Sequence, residues 1–234
     1  MNALVTFAGG VSASTVAKYA EQFIVAATGH KGESIATILG EKVFEWKKSN
    51  AEKVGGKTYF TWLKLGITPK DIPLNILEPA MEGASRAESE ELQDRWANLL
   101  ANAGDSRNQI RVEPVFTTML ADLSSREVVF LDSLLSSVKN TTINRNLVNL
   151  QILYREKGLA KNPVPPAVPH FTQQATLDPG DTGQFEIMMD ILGRSRILVE
   201  NVDKRHGDYR FSQLGLAFVL ACQPPASVQA AVGA

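Results

Sequence analysis

The chain has 234 residues, 44% of them hydrophobic and 21% charged, enough for one large or two modest domains with a sizeable core. Lys and Arg number 24 against 25 Asp and Glu, a formal net charge of −1, which removes any whole-chain electrostatic case for nonspecific nucleic-acid binding and leaves only a local basic patch to consider. A single cysteine, Cys222, excludes an intrachain disulfide framework and a cysteine-rich zinc site, and agrees with a reducing cytosol.

The opening stretch, MNALVTFAGGVSASTVA, is apolar and rich in small residues, yet it lacks a basic n-region and meets Lys18 too soon for a membrane span of about 20 residues. A loose or weakly helical lead-in to a cytoplasmic protein is the expectation. From Ser34 to Trp46, the residues Ile35, Ile38, Leu39, Val43 and Trp46 repeat at helical spacing, with Glu41, Glu45, Lys47 and Lys48 off the stripe. This amphipathic helix is expected to bend or break at Gly55 and Gly56, each of which costs about 1 kcal/mol relative to Ala inside a helix, before Phe60, Trp62 and Leu63. Gly66 ends that unit.

Asp71 is placed to cap a short helix opened by Pro73, and Pro79 predicts a kink or restart near Glu78, because an interior proline costs about 3 kcal/mol. Ser85 and Glu88 have capping-box spacing, which sets a helix start with Glu88, Glu90 and Glu91 near the positive end of its dipole. Within that helix Leu92, Trp96, Leu99, Leu100 and Ala103 form one apolar stripe, and Gly104 supplies the stop.

The run Leu92-Gln93-Asp94-Arg95-Trp96-Ala97-Asn98-Leu99-Leu100-Ala101 resembles the Leu-Gln-x-x-Trp-Ala-x-Leu-Leu-Ala core of the Abi-alpha family, the abortive-infection proteins of bacteria. The likeness extends through Ile72-Pro73-Leu74 with Leu77-Glu78-Pro79, and through Pro114-Val115-Phe116 to Leu120, Leu123 and Ser124, about half of the chain. It departs after Ser124, where Ser125-Arg126-Glu127-Val128 stands in place of a Pro-Leu-Asp-Ala-like continuation, although Ser124 and Glu127 still form a second capping box. The resemblance implies a role in defence against bacteriophage, in which an infected cell stops growing or dies before the phage multiplies. It implies no mechanism and carries over no catalytic residue.

Pro114 starts a helix ending near Leu123, Ser124 caps one through Val138, and Ile143 to Lys157 reads as the next, stopped by Gly158. Lys161 to Gly183 holds Pro163, Pro165, Pro166, Pro169 and Pro179, with Gly180 and Gly183, and reads as a linker. Beyond it Phe185, Met188, Met189 and Leu192 mark a helix. Ile197-Leu198-Val199 and Tyr209-Arg210-Phe211 read as short strands around the polar turn from Asp203 to Asp208, and Ser212 caps a final helix through Leu220 that Pro224 and Pro225 end. The expected architecture is mainly α: a helical domain over 1–160, a proline-rich linker over 161–183, a helix–hairpin–helix unit of winged-helix-like order over 184–223, and a flexible tail over 224–234. A hairpin beside helices also arises merely to close a core, and that reading stands ahead of a functional one.

No catalytic constellation is legible. His30, His170 and His206 are widely separated and lack partner motifs, and no H-E-x-x-H, P-loop or G-x-G-x-x-G pattern occurs, so no catalytic, cofactor-binding or metal residue is assigned. Glu82, Glu88, Glu90, Glu91 and Asp94 are oxygen ligands in principle, but acids at a helix start ordinarily serve the dipole. Trp46, Trp62 and Trp96 lie on apolar stripes and read as core, and Leu92, Trp96, Leu99 and Leu100 as the core signature. Arg194, Arg196, Lys204, Arg205 and Arg210, with His206, form the best candidate nucleic-acid contact, diluted by Glu200, Asp203 and Asp208. The expectation is a non-enzymatic protein without cofactor, acting on a protein partner or phage component, with a DNA-binding regulator as the alternative and oligomerisation left open.

Overall fold

The computed structural model describes residues 13–28, 45–107, 111–138, 145–146, 179–200 and 208–225. Among these it is mainly helical: α1 (Ala13–Thr28), α2 (Glu45–Leu65), α3 (Leu74–Arg86), α4 (Glu90–Gly104), α5 (Val115–Ala121), α6 (Ser125–Val138), β1 (Arg145–Asn146), α7 (Pro179–Arg194), β2 (Leu198–Glu200), β3 (Asp208–Phe211) and α8 (Gln213–Ala221). The expected helix over Ser34 to Val43, most of that over Ile143 to Lys157, the linker before Pro179 and the turn carrying Lys204, Arg205 and His206 lie outside the described residues. The chain divides into two compact units, Met1–Ala121 with Leu220–Ala234, and Asp122–Val219.

The first unit is built on α2. Ala51, Val54, Thr58 and Trp62 recur at helical spacing and are buried, as are Ala20, Phe23, Ile24 and Ala27 on α1. The Phe23 and Trp62 rings stack with centroids 5.7 Å apart. The break expected at Gly55 and Gly56 is absent, and α2 runs unbroken through both. Both glycines are buried, and a Cβ at Gly56 would make only ordinary contact with the Val16 carbonyl oxygen at 3.5 Å; burial of the surrounding α2 face outweighs the propensity cost. Gly66, at φ +60, ends the helix as expected.

Three other local expectations are corrected. Pro73 itself is the N-cap of α3, with no side-chain cap from Asp71. The helix restart expected near Glu78 does not occur, and α3 continues through Pro79 to Arg86. The amide missing there would have bonded the carbonyl of Asn75, an exposed residue whose backbone can turn to water, while Ile76, Leu77, Ala80, Met81 and Ala84 hold the buried face together. Finally, the cap of α4 lies four residues after the expected one. Ser85 is buried inside α3 and donates to the Glu82 carbonyl at 2.7 Å, whereas Ser89 caps α4, accepting from the Leu92 amide at 3.3 Å.

In the second unit, Ser124 and Glu127 form the expected capping box for α6. The Ser124 amide donates to Glu127 at 2.6 Å, and the Arg126 amide donates to the Ser124 hydroxyl at 3.3 Å. Val128, Phe130, Leu131, Leu134 and Leu135 of α6 are buried, as are Phe185, Met188, Met189 and Leu192 of α7, and the Phe130 and Phe185 rings meet edge to face. Pro179 opens α7, so the last residues of the expected linker are its first turn, where proline lacks only an amide that has no helical acceptor. β2 and β3 pair antiparallel with Leu198 opposite Phe211, Val199 opposite Arg210 and Glu200 opposite Tyr209. Arg145 and Asn146, expected in a helix, instead form β1 on the other edge of β3, where they pair its backbone groups, giving the order β1-β3-β2. Ser212 caps α8 through the Gly215 amide at 2.8 Å.

Candidate functional site

Two surfaces gather polar chemistry, one on α4 in the first unit and one on α7 with β2 and β3 in the second. On α4 the family-like stripe is interior: Trp96 is 2% exposed and Leu99 and Leu100 are fully buried, while Leu92, one turn from the helix start, is half-buried. Asp94 lies off that stripe, and its carboxylate takes the Nζ of Lys57, a buried residue of α2, at 2.6 Å; Glu90 stands 3.6 Å from the same ammonium. Burial pushes the Asp94 carboxyl above the ordinary carboxylate value, against the opposing hydrogen bond and charge of Lys57 and the charge of Arg95, with Glu90 adding to the rise. Asp94 is therefore committed to a charge pair crossing from α4 to α2. Glu82 pairs with Arg86 on α3, and Glu88 and Glu91 are exposed at the α4 start, so the acids considered as cation ligands are dispersed among separate partners. Among the described residues no group of three or more His, Cys, Asp or Glu is gathered to hold a metal.

A second face of α4 binds backbone. Arg95, Asn98 and Asn102, spaced at i, i+3 and i+7, reach the end of α8, whose last carbonyls have no helical donor. Arg95 Nη1 and Asn98 Nδ2 donate to the Cys222 carbonyl at 2.9 and 3.1 Å. Asn102, 1% exposed, shares the two N–H groups of its amide among the carbonyls of Ala221 at 2.8 Å, Gln223 at 2.7 Å and Asn98 at 3.0 Å. A cation at the negative end of a helix dipole adds to the hold. The two asparagines were not singled out in the sequence, although with Arg95 they line a polar stripe beside the apolar one.

Among the described residues the second unit runs α6, β1, then after an undescribed stretch α7, β2 and β3, with β1 against β3, and its end of helix, hairpin and helix is winged-helix-like in order. Leu198 and Phe211 point inward and Val199 and Arg210 outward. Of the candidate basic residues, Arg194 at the end of α7, Arg196 just beyond it and Arg210 on β3 are exposed; Lys204 and Arg205 lie outside the described residues. Arg196 has φ 54, and its carbonyl accepts from the Ser212 hydroxyl that caps α8. Acids stand among these arginines. The Tyr209 hydroxyl is pushed above its ordinary pKa by burial and then by Glu200 and Asp190. The solvent stripe of α7 comprises Glu186, Ile187, Asp190, Gly193 and Arg194, and a depression of about 440 Å³ is lined by Ile187, Asp190 and Arg194. Sequence reading found the buried side of this helix and overlooked what the complementary positions carry.

No curated protein and no solved structure matches the chain. The family model for abortive infection alpha matches residues 61–222, more than half of the chain. That span begins in α2, takes in the Trp96 helix and the winged-helix-like unit, and ends at Cys222, the residue whose carbonyl Arg95 and Asn98 hold. The chain therefore belongs to the abortive infection alpha family.

Proposed function

We propose that this chain acts in the cytoplasm by contact with another macromolecule, using its winged-helix-like unit, and without catalysis of its own. Family membership implies the wider role, abortive infection in anti-phage defence. The observation that carries the proposal is the β2–β3 hairpin directly after α7, with β1 on the outer edge of β3, which offers one helix and one hairpin for recognition. In the first unit Asp94 is engaged by Lys57, Asn102 by the carbonyls at the α8 end, and Asp105 by Arg107. The test is to challenge cells expressing the intact protein with a broad phage panel, and to compare what co-purifies with it before and after infection. Resistance or growth arrest on infection, with a partner gained at that moment, is the expected result; cells that resist no phage and keep growing would refute it.

Nucleic acid is the second reading, favoured by the exposed Arg194, Arg196 and Arg210. Gel-shift titration decides it, because phosphate contacts make affinity fall steeply with salt, and an absence of binding even at low salt removes the option.

A further inference from the structure

We propose that the solvent face of α7 is a docking surface for a protein partner that presents an apolar side chain bordered by Lys or Arg. This rests on the reading of the winged-helix-like unit as the contact element and goes further by naming the face and the chemistry it takes. Among the described residues α7 lies directly before the β2–β3 hairpin, so its solvent side and the hairpin belong to the same contact element.

Its solvent stripe is built wrongly for phosphate. Glu186 and Asp190 stand one turn apart on the exposed side, and neither carboxylate takes a salt bridge among the described residues. A nucleic-acid backbone laid along this face would meet both of them before reaching Arg194 at the helix end. Between them Ile187 is 61% exposed, the most exposed of the large apolar side chains among the described residues. Ile187 thus stands as an apolar anchor between charges, beside a shallow, open depression lined by Ile187, Asp190 and Arg194. Charge complementarity specifies the partner's rim as basic opposite Glu186 and Asp190.

Gly193 lies on the same stripe, is exposed, and has open space where a side chain would begin, so a probe can be placed there without disturbing the fold. The full chain carrying p-benzoylphenylalanine at position 193 is photolysed in cells, before and after infection, and the adduct peptide is sequenced by mass spectrometry. The expected adduct is a protein segment with Lys or Arg beside an apolar residue. Its yield should fall about tenfold with Ile187→Ala, and about tenfold with Glu186→Lys combined with Asp190→Lys. The second loss should reverse when the facing basic residue of the partner is changed to Glu. Circular dichroism melts confirm that these surface variants fold. An adduct to nucleic acid, a yield indifferent to both variants, or no adduct in either condition would overturn the proposal. Loss of phage resistance in the intact protein would instead count against the defence reading, since the labelling result stands independently of it.

Discussion

Replacing Gly83 with alanine tests whether α3 and α4 are held at a distance set by Trp96. On helix propensity alone the change should stabilise α3 by about 1 kcal/mol. A Cβ at this position, however, would lie 2.2 Å from Cζ2, 2.5 Å from Cη2 and 2.9 Å from Cε2 of the Trp96 ring. Ordinary carbon–carbon contact is about 3.5–4 Å, and Trp96, 2% exposed, has no solvent to swing into, so the two helices must separate. Overpacking of this kind costs about 1–3 kcal/mol and should outweigh the propensity gain. The comparison is Gly183→Ala in α7, where nothing lies within 4 Å and a gain of about 0.5–1 kcal/mol is expected. Urea unfolding serves as the assay. Trp62 and Trp96 both belong to the first unit, so intrinsic fluorescence follows that unit while circular dichroism follows both. Trp96→Phe, which removes the ring edge nearest Gly83, should recover part of the Gly83→Ala loss, with a coupling of about 0.5–3 kcal/mol in a double-mutant cycle. A Gly83→Ala midpoint at or above that of the wild type would refute the reasoning.

Leu99→Ala, at a fully buried site, should destabilise the first unit by about 2–5 kcal/mol through the cavity it leaves, whereas exposed Glu90→Ala should change stability by no more than about 0.5 kcal/mol; equal melts would mean the buried face of α4 is misassigned. Ser89→Ala should cost about 1 kcal/mol by removing the α4 cap, and Ser85→Ala should leave that cap intact, a contrast read in the same unfolding curves. Because burial raises the Asp94 pKa, the folded protein binds this proton more tightly than the unfolded chain does. The associated stability is complete below the ordinary value of 3.8 and is lost as pH rises through the raised one. Wild-type stability relative to Asp94→Asn should therefore decline with pH across that window, and a rise would contradict burial as the dominant cause. Asn102→Ala strips donors from the carbonyls of Ala221 and Gln223 and should cost about 2–4 kcal/mol, with faster proteolysis of the α8 end.

The sequence revealed most where a local rule and a packing demand agree. The Trp96 stripe, the Ser124 cap, the hairpin strands and the Ser212 cap follow from periodicity and capping chemistry, and each is supported by neighbours that want the same conformation. Expectations failed where packing overrode the local rule. Gly55 and Gly56 read as a break on helix propensity, but both are buried inside a helix held by its tertiary neighbours, which no window of residues around them displays. Ser85 carried the right spacing to an acid and lost to Ser89, because Ser85 is buried in the preceding helix. The candidate chemistry was legible in part. Arg194, Arg196 and Arg210 are exposed as a contact surface would need, but the Lys57–Asp94 pair and the Arg95, Asn98 and Asn102 contacts join residues tens to more than a hundred positions apart, and single-sequence spacing has no access to such pairs.

The return of the chain to α4 has a bearing on synthesis. The donors at Arg95, Asn98 and Asn102 emerge from the ribosome well over a hundred residues ahead of the carbonyls they serve, with the entire second unit translated in between. At elongation rates of about 5–20 residues per second, that interval is on the order of ten seconds, during which these side chains remain hydrated and the first unit lacks its closing segment. A polypeptide released early from the ribosome would hold the Trp96 helix without its final anchor, so translational completeness is written into the stability of the part made first.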